Sequence, residues 1–185
     1  MSLPYLMVDA SRPGSSIPAT WNGHKIRAVA GYVGGDTPHV WTPAEWGRFK
    51  GLGKLPVWVN NVDGDDPGPG EADAFAALRA LYDLGAKQGA AVAYDLETSV
   101  VPKRAAAFTR ALAWAGFTAW IYGSRSTVFG NHASGYWVAD YTGRPHFPTR
   151  NSRACQYAAG VTIGGSTWDV SCIRWWQITA GKLWT

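Results

Sequence analysis

Residues 90–97 of the sequence read Ala-Ala-Val-Ala-Tyr-Asp-Leu-Glu. The run is short, apolar and preceded by a glycine, which is typical of a buried strand in a parallel sheet. Asp95 stands at its carboxyl end, and Glu97 lies two residues further on. In an extended chain these two side chains point the same way, with Cα atoms roughly 7 Å apart. The stretch therefore predicts a buried strand that presents two carboxylates to one pocket.

Seven other stretches have the same apolar character, and several are separated by helical patterns. Together they give eight candidate strands: 5–9, 27–33, 55–60, 90–95, 118–122, 135–141, 154–157 and 171–178. This alternation indicates a parallel sheet, and eight is the number of strands in a (β/α)₈ barrel. A full barrel usually takes about 250 residues, so short turns should replace some helices in the second half. We predict an α/β fold, a compact TIM-like barrel formed by residues 1–185 as one domain. The alternative is an open doubly wound sheet.

Helices are predicted between these strands. Residues 42–45, Thr-Pro-Ala-Glu, supply a capping Thr, a Pro at the first helical position and a Glu three residues after the cap. Residues 71–84 give the clearest helical pattern, with Phe75 among the residues of its buried stripe, and residues 102–115 give another. Beyond residue 122 the helical pattern fades.

Composition limits the classes of function. Hydrophobic residues make up 46% and charged residues 16%, as in a globular protein. The net charge is +4, but Lys and Arg are scattered, so we expect no nucleic-acid partner. No window approaches the roughly 18 apolar residues of a membrane helix, and the N-terminus lacks a signal-peptide pattern, so no membrane insertion is expected. No metal or cofactor is predicted. Cys155 and Cys172 should lie on neighbouring strands, where a disulfide and two buried thiols fit equally well.

A second strand-end carboxylate adds to the first pair. Asp9 ends the first candidate strand, and the loops that follow barrel strands converge on one mouth, so Asp9, Asp95 and Glu97 should share one concave site. Hydrolysis of a glycosidic bond needs one carboxylic acid to protonate the leaving oxygen and a second carboxylate to stabilise the transition state or act as nucleophile. When carboxyl groups lie close together, the repulsion between their charges raises the pKa of one of them. Glu97, on the longer side chain, is the predicted acid, and the two aspartates are its partners.

Other residues near the predicted mouth are candidates for sugar binding, because aromatic faces stack on sugar rings and amides bind hydroxyls. Asp140 and Asp169 lie at or beside strand ends and could complete an acidic cluster, although a turn or capping role competes for Asp140. The predicted substrate-binding set is Tyr32, Asn60, Tyr122, Trp137, Asp140, Gln156 and Asp169.

The order of these segments resembles the family 25 glycoside hydrolases. The segments are Asp9, 94–97 (Tyr-Asp-Leu-Glu), 120–124 (Trp-Ile-Tyr-Gly-Ser), 136–141 (Tyr-Trp-Val-Ala-Asp-Tyr), 156–157 and 168–170. The front half is similar to the related glycoside hydrolase-like domain of actinobacterial envelope and phage proteins, through residues 31–35, 41–45, 70–74 and 84–85. The likeness spans nearly the whole chain.

The resemblance implies a barrel that cuts peptidoglycan between N-acetylmuramic acid and N-acetylglucosamine, with Glu97 as acid and Asp9 and Asp95 as electrostatic partners. One departure is the Val-Ser-Cys after Asp169, where a lysozyme would read Leu-Asn. The residues leave open whether a protein nucleophile or the N-acetyl carbonyl of the substrate assists.

Two functions follow from the resemblance. One is a muramidase-like endolysin that hydrolyses a peptidoglycan-like polysaccharide, and the other is a catalytically silent carbohydrate-binding or structural module of a phage particle or bacterial envelope. The expected partner is a cell-wall polysaccharide, with phage structural proteins as further candidates. The expected location is extracellular, in the cell envelope or phage-associated.

Overall fold

The computed structural model describes residues 4–60, 64–97 and 99–174. Its elements are β1 (Tyr5–Asp9), β2 (Thr20–Trp21), β3 (His24–Gly35), α1 (Pro43–Gly47), β4 (Gly53–Val59), α2 (Pro67–Asp83), β5 (Ala91–Asp95), α3 (Pro102–Trp114), β6 (Thr118–Ser124), α4 (Arg125–Gly130), β7 (Gly135–Ala139), β8 (Ser152–Ile163) and β9 (Ser166–Ile173). β1 pairs with β3 on one side and β9 on the other, which closes eight strands into a ring. β2 lies outside the ring as a hairpin partner of β3. The predicted eight-stranded α/β barrel is confirmed.

The last barrel strand runs against its neighbours. β9 is antiparallel to both β8 and β1, whereas the other barrel pairs are parallel. The two-residue turn Gly164-Gly165 joins β8 directly to β9, and both glycines have positive φ (58° and 80°), as a tight hairpin turn requires. The prediction of an all-parallel sheet was therefore wrong for β9. The strand also begins five residues before residue 171, where we predicted its start, and residues 175–178 of the predicted span lie outside the described residues.

Side chains of unequal size fill the barrel interior. Trp120 and Trp137 are fully buried there, in one cluster with alanines at positions 28, 30, 91, 93 and 154. The small residues leave room for the indole rings, which is how a small barrel reaches close packing. Two outer clusters lie between the barrel wall and the segments that cover it, one around α2 and α3 and one around Trp41 and Trp168.

The helices largely follow their local signals. In α1 the Thr42 hydroxyl accepts from the Glu45 N–H at 3.2 Å, and the Glu45 carboxylate accepts from the Thr42 N–H at 2.7 Å, so the predicted capping box is confirmed. α2 begins at Pro67, four residues before the predicted start, and α3 matches its prediction to within one residue. Phe75 is 59% exposed, so its predicted place on the buried stripe of α2 was wrong, and Ala74 and Ala77 lie on the buried face beside Leu78 and Leu81.

The second half of the barrel has few helices, as predicted. Among the described residues that follow β6, α4 is the only helix, and it is six residues long. In the described part of the chain no helix combines the length and apolarity needed to cross a membrane.

Candidate active site

Four carboxylates line one pocket at the carboxyl ends of the parallel strands, which encloses about 420 Å³ of empty space. Asp9 is the last residue of β1, Asp95 is the last residue of β5, and Glu97 follows two residues later. Asp169 reaches the same place from the middle of β9, where it is paired directly with Asp9. The antiparallel direction of β9 thus brings a fourth carboxylate to the mouth.

Asp9 and Asp95 have buried oxygens without partners. Oδ1 of each carboxyl is buried and makes no hydrogen bond with the described residues. Burial, with the charges of Asp169, Asp95 and Glu97, raises the pKa of Asp9 well above its usual value. Burial and the charge of Glu97 raise the pKa of Asp95, although the backbone N–H of Glu97 donates to this carboxyl and opposes the shift. The pocket therefore favours protonated carboxyls at a pH where exposed aspartates are ionised.

Glu97 occupies a different position from these two aspartates. Asp95 is only 5% exposed, whereas Glu97 is exposed to solvent at the pocket wall. The Glu97 backbone carbonyl accepts a hydrogen bond from the Thr127 hydroxyl at 3.5 Å, next to the start of α4. Glu97 is thus the member of the strand pair that an entering ligand meets first.

Asp169 is held by donors on both oxygens. Its Oδ2 accepts from the Gln156 amide at 2.8 Å, and its Oδ1 accepts from the Gly160 N–H at 2.8 Å. The buried Gln156 also accepts a hydrogen bond from the Tyr122 hydroxyl, which in turn is bonded to the Tyr141 hydroxyl. Burial raises the pKa of both tyrosines, so they stay neutral. A continuous line of hydrogen bonds therefore fixes the orientation of Asp169.

The predicted substrate-binding residues divide into two groups. Those that line the pocket are Tyr32, Tyr122, Trp137 and Asp169. Gln156 lies behind them and is hydrogen bonded to Tyr122 and Asp169. The structure places the side chains of Asn60 and Asp140 outside the pocket, with other partners.

Asn60 faces the helical layer and not the pocket. Val57 and Val59 of β4 point into the barrel, so alternation turns the next residue outward. The Asn60 amide donates to Asp73 Oδ2 of α2 at 2.5 Å, and its oxygen accepts from the buried Arg104 of α3 at 3.1 Å. Asn60 thus ties the end of β4 to two helices.

Asp140 is also turned outward by alternation along β7, because Trp137 and Ala139 face the barrel interior. Its Oδ2 lies 3.0 Å from His146 Nε2 and 3.9 Å from an Arg125 nitrogen. The next residue, Tyr141, lines the pocket instead, and it is absent from the predicted substrate-binding set. The same two-residue period that runs from Trp137 through Ala139 was the signal that could have found it.

The cysteines are directly opposite each other in the β8–β9 pair, as predicted for neighbouring strands. Both are buried free thiols, and the Cys172 thiol donates to the His146 carbonyl at 2.8 Å. The described residues contain no group of three or more His, Cys, Asp or Glu side chains arranged to hold a metal ion.

Several solved structures have a similar architecture. The catalytic domain of endolysin ply40 from bacteriophage P40 of Listeria monocytogenes matches with a TM-score of 0.69 and 14% identity, over 98% of this chain and 98% of that chain. GHIP, a glycosyl hydrolase 25 of Streptococcus pneumoniae, matches with a TM-score of 0.64 and 16% identity, over 92% of this chain and 87% of that one.

A third match is the modular Cpl-1 endolysin, complexed with a peptidoglycan analogue, at a TM-score of 0.59 and 16% identity, over 92% of this chain and 54% of that one. Neither a protein-family model nor a curated protein matches the sequence. At these identities the likeness concerns the fold alone: this chain has the same kind of closed α/β barrel as these proteins.

Proposed function

We propose that this chain hydrolyses a peptidoglycan-like cell-wall polysaccharide as a muramidase-like glycoside hydrolase. The observation that carries the proposal is the pocket in which Asp9, Asp95, Glu97 and Asp169 meet. Buried polar groups in proteins are normally hydrogen bonded. Oδ1 of Asp9 and of Asp95 lacks such a bond among the described residues, a departure that a catalytic role for these carboxyls would explain. Perturbed carboxyls in a concave site are typical of acid–base catalysis.

The proposed roles follow from exposure and hydrogen bonding. Glu97 is the general acid, because it is the exposed carboxyl of the strand pair and can reach the oxygen of a bound glycosidic bond. Asp95 and Asp9 lie beneath it, and in their ionised form they stabilise the positive charge that develops on the sugar ring, a charge that in turn favours their ionisation. Asp169 has donors on both oxygens, so its proposed role is to orient the site through charge and not to transfer protons.

The proposed substrate rests on the aromatic lining and on the fold. Tyr32, Tyr122 and Trp137 border the carboxylates, and such rings stack on the apolar faces of sugars. Endolysins are among the proteins of this fold, and one was solved with a peptidoglycan analogue. We also propose that residues 1–185 act as one domain and that the protein works at the cell wall, outside the cell or in association with a phage.

The substitution Glu97→Gln tests the proposal, because it keeps the size of the side chain and removes the proton. Clearing of purified bacterial cell walls should fall by roughly 10²- to 10⁴-fold, the usual contribution of a general acid. Glu71→Gln is the matched control, since Glu71 is an exposed glutamate on α2, away from the pocket. The control should retain the activity of the parent.

Two further measurements make the result decisive. The thermal midpoint of Glu97→Gln must stay within a few degrees of the parent, since a loss through unfolding would not test catalysis. Sedimentation with insoluble cell walls must show that binding persists. If the parent binds walls but clears none, the chain is a carbohydrate-binding module; if Glu97→Gln is as active as the parent, another residue is the acid.

A further inference from the structure

A second cavity continues the acidic pocket over the end of β1. It encloses about 760 Å³ of empty space and is lined by Asp9, Ala10, Ser11, Arg12, Tyr32, Thr167, Trp168 and Asp169. Asp9, Tyr32 and Asp169 belong to both cavities, so the two form one groove. Among the described residues that line the two cavities, Arg12 is the only cationic one. We propose that Arg12 binds a carboxylate carried by the glycan next to the bond that is cut, and so selects acidic over neutral polysaccharides.

The backbone around Arg12 is anchored on both sides. The Trp41 indole N–H donates to the carbonyls of Ala10 at 3.2 Å and Ser11 at 3.3 Å, immediately before the arginine. On the other side Gly14 packs so closely on the β8–β9 hairpin that a Cβ there would lie 2.3 Å from the Ser166 hydroxyl. The loop therefore holds the Cα of Arg12 at a fixed place beside the groove. Arg12 is exposed to solvent.

The Arg12 side chain has no polar partner among the described residues. It forms no ion pair or hydrogen bond with any residue in the described part of the chain. Asp9 and Asp169 line the same groove, yet neither lies within 4.0 Å of the guanidinium. A guanidinium offers two parallel N–H groups that match a carboxylate, which makes arginine well suited to recognising one.

The charge of the pocket explains why such a residue is needed. Those of the four carboxyl groups around the cleavage site that are ionised repel an anionic ligand, and a cation at the edge of the groove offsets that repulsion for a group bound there. A neutral polymer of N-acetylated sugars gains nothing from Arg12. The inference rests on the proposed function, and it adds the chemical group of the substrate that the site recognises, a carboxylate.

Binding in a Glu97→Gln background tests the inference without turnover. The probes are soluble peptide-free glycan fragments with free sugar carboxylates, and the same fragments after chemical reduction of the carboxyl to an alcohol. Arg12→Ala should raise the calorimetric Kd for the acidic fragment by about 5- to 20-fold, between the contributions of an exposed ion pair and of a charged hydrogen bond. The Kd for the reduced fragment should stay unchanged, and Arg12→Lys should recover part of the loss.

Arg79→Ala is the matched control, because Arg79 is an exposed arginine on α2 and its loss changes the net charge equally. This variant should bind both fragments like the parent. A third probe keeps the peptide and engages the sugar carboxyl in an amide. If its binding no longer depends on Arg12, the arginine reads the sugar carboxylate; if the dependence persists, it reads a carboxylate of the peptide.

Three outcomes overturn the inference. Arg12→Ala binds the acidic fragment as tightly as the parent does, Arg12→Ala loses as much affinity for the reduced fragment as for the acidic one, or the parent binds no acidic fragment. These outcomes are separable from failure of the proposed function. A parent that clears no cell walls yet binds the acidic fragment through Arg12 refutes hydrolysis and supports the subsite. A parent that clears walls without any dependence on Arg12 does the reverse.

Discussion

The substitution Asp9→Asn should make the folded protein more stable at neutral pH. Asp9 has a buried Oδ1 without a donor among the described residues, and the charges of Asp169, Asp95 and Glu97 surround it. An amide has nearly the same shape, carries no charge, and can donate to a neighbouring carboxylate. The change therefore removes repulsion and desolvation without opening a cavity.

The sign of the pH dependence follows from the raised pKa of Asp9. A group whose pKa is higher in the folded state stabilises the fold fully below its unfolded pKa, and this contribution is lost as the pH rises through the folded pKa. The parent should therefore lose stability between about pH 4 and neutral pH relative to Asp9→Asn. The advantage of the variant should be small at the acidic end and largest at neutral pH.

The size of the effect can be bounded. Replacing one buried carboxylate of a functional site by a neutral amide should raise the free energy of unfolding by about 0.5 to 2 kcal/mol, the usual gain from a single stabilising substitution. In a chain of this length each kcal/mol shifts the thermal midpoint by roughly 2 to 4 °C, so the expected gain is about 1 to 8 °C at neutral pH.

Scanning calorimetry of parent and variant across this pH range measures the effect. Asp83→Asn is the control, because Asp83 is an exposed aspartate at the end of α2, and its curve should run parallel to that of the parent. An Asp9→Asn variant less stable than the parent at neutral pH would refute the electrostatic reasoning. So would a gain that is constant with pH.

Three further predictions concern the barrel wall. Asn60→Ala should lower the free energy of unfolding by about 1 to 3 kcal/mol, because it removes the hydrogen bonds to Asp73 and to the buried Arg104, while KM on cell walls stays constant; a raised KM with unchanged stability would place Asn60 in the pocket instead. Gly31→Ala should lower the thermal midpoint by roughly 2 to 12 °C, since its Cβ would lie 2.4 Å from the Trp41 ring, and an unchanged midpoint would contradict this packing. Cys155 and Cys172 should react with iodoacetamide only after denaturation, because both thiols are fully buried, and labelling of the native protein seen by mass spectrometry would be inconsistent with the β8–β9 pairing.

The first part of the fold could be predicted because its signals are local. An apolar run with a carboxylate at its end specifies both a buried strand and the place where its charge appears, as Asp9 and Asp95 show. The capping box at Thr42 likewise depends on residues three positions apart, and it is present as predicted. Such patterns need no knowledge of distant contacts.

The direction of a side chain on a strand can be predicted from the two-residue alternation. Asn60 and Asp140 lie next to strand ends, yet alternation turns each of them away from the pocket. The same alternation directs Tyr141 into it. A position near the end of a strand therefore does not by itself place a side chain in the pocket. The side of the barrel wall that the residue faces decides it as well.

Strand formation and side-chain alternation depend on neighbouring residues, so the amino-acid sequence specifies locally which carboxylates stand at strand ends. Long-range contacts set the antiparallel direction of β9, the meeting of Asp169 with Asp9, and the place of the loop that carries Arg12 beside the same groove. These outcomes depend on closure of the ring between β1 and β9, which joins residues 160 to 168 positions apart. No local pattern encodes that contact, since its free energy comes from burying side chains that meet only when the barrel closes.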